Sequence, residues 1–415
     1  MRILMLAPEC VAGPGGTPRC VAGRVHGLAA LGHEVVLVTY PFGEDIRAPG
    51  LRIVRVPRSR LIGRVPVGPS FSKLMQDIPL FRTAARMLRE ERFDLLHTHE
   101  EAGWFGIRLS RRAGIPHLYD MHSSLPEGFR NYGWHLGPLD SAIRAAERWV
   151  LRNVDGVIAI CPALAEHAAS VAPGLRITVI ENSPFDMISG RDDLPGDGEA
   201  SEANAPPLYC GGFERNQGVD MLARAVALCP DLPPVDVYGG RPDQVERARR
   251  MAEKCGAGGR LRFLGAAPFL DTWEASRRAA VLLSPRIAGT NVPSKIYHYL
   301  RAGRPIVATD VPAHRQVLDE SCAILTKADP LDFSEGLRRA LSDAELSARI
   351  AAAARKRYEE RYTFAAYLEA LRSALSPWTG EADGLAGEPS KGSRLASRKK
   401  DRESVAVGNR AADRG

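Results

Sequence analysis

The chain predicts an α/β protein of two doubly wound domains facing a central cleft, and two βαβ units with the overall length carry that prediction. In the first unit, MRILMLAP at the start reads as a buried strand and Gly13-Pro14-Gly15-Gly16 as a loop. A helix from about Pro18 to Leu31 and the strand Val35–Val38 complete it. The second unit begins after residue 205, with Leu208-Tyr209, the loop Cys210-Gly211-Gly212, a helix near Val219–Ala227 and the strand Pro234–Tyr238 closed by Gly239-Gly240. A glycine loop directly after the first strand of a parallel unit is the pattern of a ligand-binding doubly wound sheet. Two such units place binding loops on both sides of a cleft. The 415 residues exceed one core and fit two domains of about 150–200 residues each.

Taken in order, residues 1–183 make the first domain. Its strand Leu95-Leu96 runs into His97, His99 and Glu100, and Pro116–Tyr119 runs into Asp120 and His122. Residues 184–206 are acidic and rich in Gly, Pro, Ser and Ala, so they read as an interdomain linker. The second domain spans 207–361. Residues 362–377 then have helical apolar spacing. Residues 378–415 combine low hydrophobicity with charges of both signs and read as disordered, because they cannot bury enough surface to offset chain entropy.

Within the second domain, SPRIAGTNVPSKIYHYLRAGRPIVATD at Ser284–Asp310 is the most informative stretch. It reads as a polar loop (Ala288-Gly289-Thr290-Asn291), a helix with Pro293 at its first position and Gly303 past its end, and the strand Ile306–Ala308. Lys295 falls in the first helical turn, where a cation opposes the helix dipole unless an anion lies nearby. A phosphate or diphosphate suits that place.

Composition narrows the function. The seven cysteines are odd in number with no C-x-x-C spacing, so neither a disulfide framework nor a zinc site is indicated, and a reducing cytoplasm is expected. The chain begins directly in a strand, and no apolar run approaches the ~18 residues of a membrane span. Net charge is +7, which suits phosphorylated ligands or anionic lipid, and no nucleic-acid-binding module is recognisable. Residues 52–75 interleave Arg52, Arg55, Arg58, Arg60, Arg64 and Lys73 with Ile62, Val65, Phe71, Leu74 and Met75. That pattern predicts peripheral contact with an anionic membrane face. No Asp-x-Asp ends a cleft strand, so no metal or other cofactor is expected.

Several motifs in order give the chain a family likeness: Gly15-Gly16, DLLHTH at Asp94–His99, YDMHSS at Tyr119–Ser124, YCGGFERNQGVDML at Tyr209–Leu222, VYGG at Val237–Gly240, RFLG at Arg262–Gly265, and the Ser284–Asp310 segment. Over roughly residues 1–377 the chain resembles the group 1 (family 4) retaining glycosyltransferases of GT-B architecture, with Rossmann-like domains and a final helix crossing back to the first domain. The resemblance implies transfer of a sugar, with retention, from a nucleotide diphosphate sugar (UDP- or GDP-linked) to a lipid-linked or saccharide acceptor. It also implies a place in envelope or exopolysaccharide synthesis, in the cytoplasm or at the inner membrane face. His122 is then the histidine that contacts the transferred sugar, with His99 and Glu100 on the acceptor side. Donor contacts fall to Gly15, Gly16, Arg19, Gly211, Gly212, Arg215, Gly239, Thr290, Asn291 and His298.

Four positions depart from the family pattern. Gly212 and Gln217 stand where a basic pair usually clamps the diphosphate, and Thr290 and His298 replace two glutamates eight residues apart. Arg215, Arg286 and Lys295 are the candidate replacement cations, with Arg286 and Lys295 preferred because they flank the helix start. These departures leave two rivals open: a UDP-sugar 2-epimerase of the same fold, and a non-catalytic sugar-nucleotide-binding or scaffold protein.

Overall fold

The computed structural model describes residues 1–11, 16–58, 70–131, 137–181 and 205–380. Gly15, most of the linker, residues 59–69 and the tail from 381 lie outside them.

The first sheet consists of β1 (Arg2–Ala7), β2 (Glu34–Thr39), β3 (Leu51–Arg55), β4 (Leu95–His99), β5 (His117–Met121), β6 (Gly156–Ala159) and β7 (Ile177–Val179). The second consists of β8 (Leu208–Cys210), β9 (Val235–Tyr238), β10 (Leu261–Gly265), β11 (Leu282–Ser284), β12 (Ile306–Thr309) and β13 (Ile324–Thr326). Both are wholly parallel, in the orders β3-β2-β1-β4-β5-β6-β7 and β10-β9-β8-β11-β12-β13. The central strands β1 and β2 are near-continuous apolar runs, and β4 is buried at every position even though it ends in His97, Thr98 and His99, because helices cover both faces of the sheet. Strand order reverses between β1 and β4 in one sheet and between β8 and β11 in the other, and a doubly wound fold opens its binding crevice at such points.

Around the first sheet pack α1 (Gly16–Ala30), α2 (Phe71–Glu90), α3 (Ala102–Ala113), α4 (Leu125–Asn131), α5 (Asp140–Leu151) and α6 (Pro162–Val171). Around the second pack α7 (Val219–Ala227), α8 (Pro242–Lys254), α9 (Phe269–Arg278), α10 (Lys295–Ala302), α11 (Pro312–Arg315), α12 (Pro330–Ser342) and α13 (Ala344–Arg361). The last helix, α14 (Phe364–Thr379), packs against α1, β6 and β7, so the chain does return to the first domain. It runs two residues past the expected end at 377, and Trp378 lies against Gly156, where an added Cβ would come within 3.0 Å of the indole.

The domains share apolar packing. One cluster runs from Met121, Ile160 and Leu164 across to Val292, Ile296 and Tyr297.

Candidate active site

The first half of the site is a buried histidine set at the ends of β4 and β5. His97 and His99 are two residues apart on β4 and so point to one face, and the register pairs His99 with Asp120 on β5. Their rings stack at 4.7 Å, and His99 Nδ1 lies 3.0 Å from His122 Nε2. Asp120 lies among them, its oxygens 3.4 Å from His97 Nε2 and 3.5 Å from His122 Nε2. The Arg24 Nε donates to Asp120 at 2.7 Å. Burial opposes ionisation of Asp120, but Arg24 and the histidines hold it well below the usual carboxylate range. Burial, resisted by Asp120, pushes His122 down to about 4, so its ring is neutral at neutral pH.

Glu100 follows directly. Among the described non-glycine residues it alone has positive φ, at 47°, a strained conformation that concentrates at functional sites. Burial, then the neighbouring Glu101 charge, raise its pKa to about 8, and Thr17 of α1 contacts it.

The second half lies at the ends of β8 and β11. Lys295 is the first residue of α10, and its Nζ sits 3.9 Å from the centre of the Tyr209 ring. That amine is buried without a hydrogen-bond partner, and burial pushes its pKa down to about 7. Gly211 allows the close approach, since an added Cβ would stand 2.6 Å from the Lys295 Nζ. Arg286 is 6% exposed, and its Nε donates to the Ala288 carbonyl at 2.8 Å. Thr309 bonds the Arg286 carbonyl, while Ser284 and His314 pair at 2.9 Å beneath it, so β11 and β12 fix the arginine's backbone.

The halves meet through the 288–291 loop. The Asn291 amide donates to the His122 carbonyl at 2.8 Å, and both the Thr290 hydroxyl and backbone N–H donate to Glu127 of α4. Gln316 holds Thr290 O at 2.6 Å and accepts from the Ala163 N–H at 2.9 Å. The site thus combines a neutral histidine in the first domain with a buried, unpaired amine and a guanidinium in the second, the two domains being tied through the 288–291 loop. This suits a ligand with a polar uncharged end and an anionic end.

Residues 15–183 match a glycosyl transferase 4-like domain, and residues 207–343 match a glycosyl transferases group 1 domain. The chain belongs to the group 1 glycosyltransferases of the GT-B superfamily. It is 26% identical over 362 residues to a phosphatidyl-myo-inositol mannosyltransferase of Mycolicibacterium smegmatis, covering 82% of this chain and 84% of that one. A glycogen synthase of Mycobacterium tuberculosis is 27% identical over 265 residues, 56% of this chain and 58% of its own. The fold resembles sucrose-phosphate synthase from Thermosynechococcus elongatus (TM-score 0.72, 19% identity, 92% of this chain and all of that one). It also resembles Anabaena HepE solved with UDP-glucose (TM-score 0.70, 18% identity, 91% of this chain and all of that one).

In this glycosyltransferase the residues expected from sequence fall into three groups. Asn291 and Thr290 meet the first domain at His122 and Glu127, Arg286 lies against Gly289 of the same loop, and Lys295 lies against Gly211. Gly16 starts α1 and half-buried Arg19 follows one turn later, while Gly239 packs so tightly on the Gly211 carbonyl that no Cβ fits there. Others stand differently from expectation. His99 is fully buried behind His122 rather than lying open on the rim, because its ring stacks under the sheet edge on His97. Arg215 is exposed in the turn Arg215–Gln217, and His298 is half-buried against the Phe269 ring at 5.1 Å. Pro293 precedes the helix rather than opening it, since Ser294 occupies the cap.

Arg24, Glu127 and Gln316 were not visible in the sequence as site residues, for each is placed by partners far away in the chain. Among the described residues, His97, His99 and Asp120 are the one group spaced to hold a metal. A divalent cation there would stand beside the buried Arg24 guanidinium, which already neutralises the carboxylate. The set therefore suits an arginine-balanced histidine cluster better than a metal centre.

Proposed function

We propose that this protein transfers a hexosyl group from a nucleoside diphosphate sugar to a lipid-linked or saccharide acceptor, with retention of configuration, in envelope or exported-glycan assembly. The observation that carries the reading is the buried, unpaired Lys295 amine with Arg286 as a charged neighbour, in a chain whose other domain holds the neutral His122. An amine buried without a partner costs stability that an anionic ligand would recover. In the reaction the bond from the anomeric carbon to the diphosphate oxygen breaks, and a bond to the acceptor oxygen forms on the same face. The acceptor proton passes to the departing phosphate oxygen. Lys295 and Arg286 offset the negative charge that grows on that phosphate, and His122 stabilises the flattening sugar. The relatives' names, a phosphatidyl-myo-inositol mannosyltransferase among them, support a sugar donor and a lipid acceptor.

Incubation with UDP-, GDP- and ADP-sugars in excess EDTA should give transfer, or slow donor hydrolysis, with at least one donor. A strict Mn²⁺ or Mg²⁺ requirement, or epimerised donor as the only product, contradicts the reading.

A lipid acceptor requires a membrane-facing surface. Among the described residues, no helix is long and apolar enough to cross a membrane. Three of the cations expected to form a surface at 52–75 are paired internally. Arg52 pairs with Glu91, Arg55 with Asp45, and Lys73 is buried between Glu9 and Glu101, while residues 59–69 lie outside the described structure. Leu74 and Met75 of the 52–75 stretch do stay exposed on α2, with Ile78, and further exposed apolar groups are Trp104 on α3 and Leu139 and Trp149 at α5. The two indoles lie 6.0 Å apart, amid exposed Arg108, Arg111, Arg148 and Arg152. Paired tryptophans in a basic field match an anionic bilayer interface. Sedimentation with anionic phospholipid vesicles should carry the protein down, and Trp104→Ala with Trp149→Ala should weaken binding by about tenfold. Equal binding to zwitterionic vesicles, or none to either, counts against this face.

A further inference from the structure

We propose that Arg24 is a positioning residue that ties the orientation of His122 to the hinge between the domains, an inference that rests on the reading of His122 as the donor-sugar contact. Arg24 is 1% exposed on α1, and its guanidinium serves three elements at once. Nε donates to Asp120 on β5 at 2.7 Å, Nη1 to the Tyr367 hydroxyl on α14 at 2.8 Å, and Nη2 to the Ile180 carbonyl at 3.1 Å. The planar face also stands 5.3 Å from the centre of the Tyr367 ring.

These partners are not scattered. Ile180 is where the chain leaves the first domain, and Tyr367 lies on the helix by which it returns, so both crossings are bonded to one side chain. The third partner, Asp120, contacts His97 and His122. A guanidinium is a rigid fork, so moving Ile180 or Tyr367 rotates it and carries the Asp120 carboxylate along. The residue after Ile180 bears on the other half of the site. Glu181 accepts from the Tyr297 hydroxyl at 3.0 Å, and Tyr297 lies on α10, the helix that begins with Lys295. Adjacent residues of the outgoing chain are thus bonded one to each half of the site. Hinge rotation in a two-domain transferase is absorbed at such crossing segments. Arg24 is placed to turn it into alignment of His122.

A buried ion pair serving stability alone would show the same contacts, so the test separates the two roles. Tyr367→Phe removes one hydroxyl and keeps the ring beneath the guanidinium, and Arg24→Lys keeps the charge but loses the fork. Tyr362→Phe, at the hinge but outside the Arg24 contacts, is the control. The readouts are steady-state kinetics, Tm, and the side-chain ¹⁵N signals of His122, assigned with His122→Gln. Tyr367→Phe and Arg24→Lys should each lower kcat by about tenfold with donor KM changed less than about twofold, as expected for a misaligned group. Both should shift the His122 tautomer signal, and the control should not. Unchanged His122 signals overturn the proposal, whether kcat is unaffected or falls only in step with Tm. The histidine signal reads the coupling even if the parent protein transfers no sugar, so failure of the proposed reaction is recognised separately.

Discussion

His122→Ala should lower kcat by about 10²-fold or more while nucleotide affinity stays within about twofold, a loss typical of a group that acts mainly in the transition state. The inward edge of the ring is occupied, with Nε2 3.0 Å from His99 and 3.5 Å from Asp120. Nδ1 is left to meet a donor sugar. Burial keeps the ring uncharged, with its pKa down at about 4, so it contributes a fixed dipole rather than a cation across the working pH range. A preorganised dipole costs no reorganisation when the anomeric carbon flattens. The cations suited to the diphosphate belong to the other domain, so nucleotide binding, read by calorimetry, should hardly change. A variant with normal kcat and weakened nucleotide binding would show the domain roles to be reversed. His122→Gln keeps a hydrogen-bonding group near the same place and should recover part of the loss.

How far this site was legible in the sequence can be judged residue by residue. Strands β1 and β2 were visible because a strand buried on both faces is a nearly unbroken apolar run, whereas β4 showed only Leu95-Leu96 before its polar end. The loop–helix–strand unit around Lys295 was visible because Gly303 ends its helix in the left-handed conformation that glycine favours, with φ 61°. The sequence showed His97 and His99 at the end of one strand. It did not tell that they stack behind His122, which depends on the β4–β5 register. Arg24 carries no local sign of burial, because its partners Asp120, Ile180 and Tyr367 are 96 to 343 residues away. Lys73 is the instructive miss. Read with its basic neighbours it belongs to an outward surface, yet Lys73, Gln76 and Leu80 recur at helical spacing and are all buried. The periodicity was present, and the density of charge around it masked it.

Lys295→Ala and Arg286→Ala should each lower kcat/KM at least about tenfold, since charge-assisted bonds to phosphate contribute about 1.5–3 kcal/mol each. The family's usual basic pair is replaced by Gly212 and Gln217, so the charge on the leaving diphosphate needs other partners. The Lys295 amine is buried, unpaired and held by burial near a pKa of about 7. In the free protein it loses its proton as pH rises through that value. A bound diphosphate stabilises the charged form and raises the pKa, so binding above neutrality requires proton uptake. Nucleotide affinity should therefore weaken as pH rises above about 7, by up to tenfold per unit, and Lys295→Ala should flatten that dependence. Installing the missing pair, Gly212→Arg with Gln217→Lys, should partly restore either alanine variant. The space at 212 is limited chiefly by the Glu214 carboxylate, a flexible end that can turn aside. Alanine variants that turn over like the parent, with an unchanged pH dependence, would place the diphosphate elsewhere.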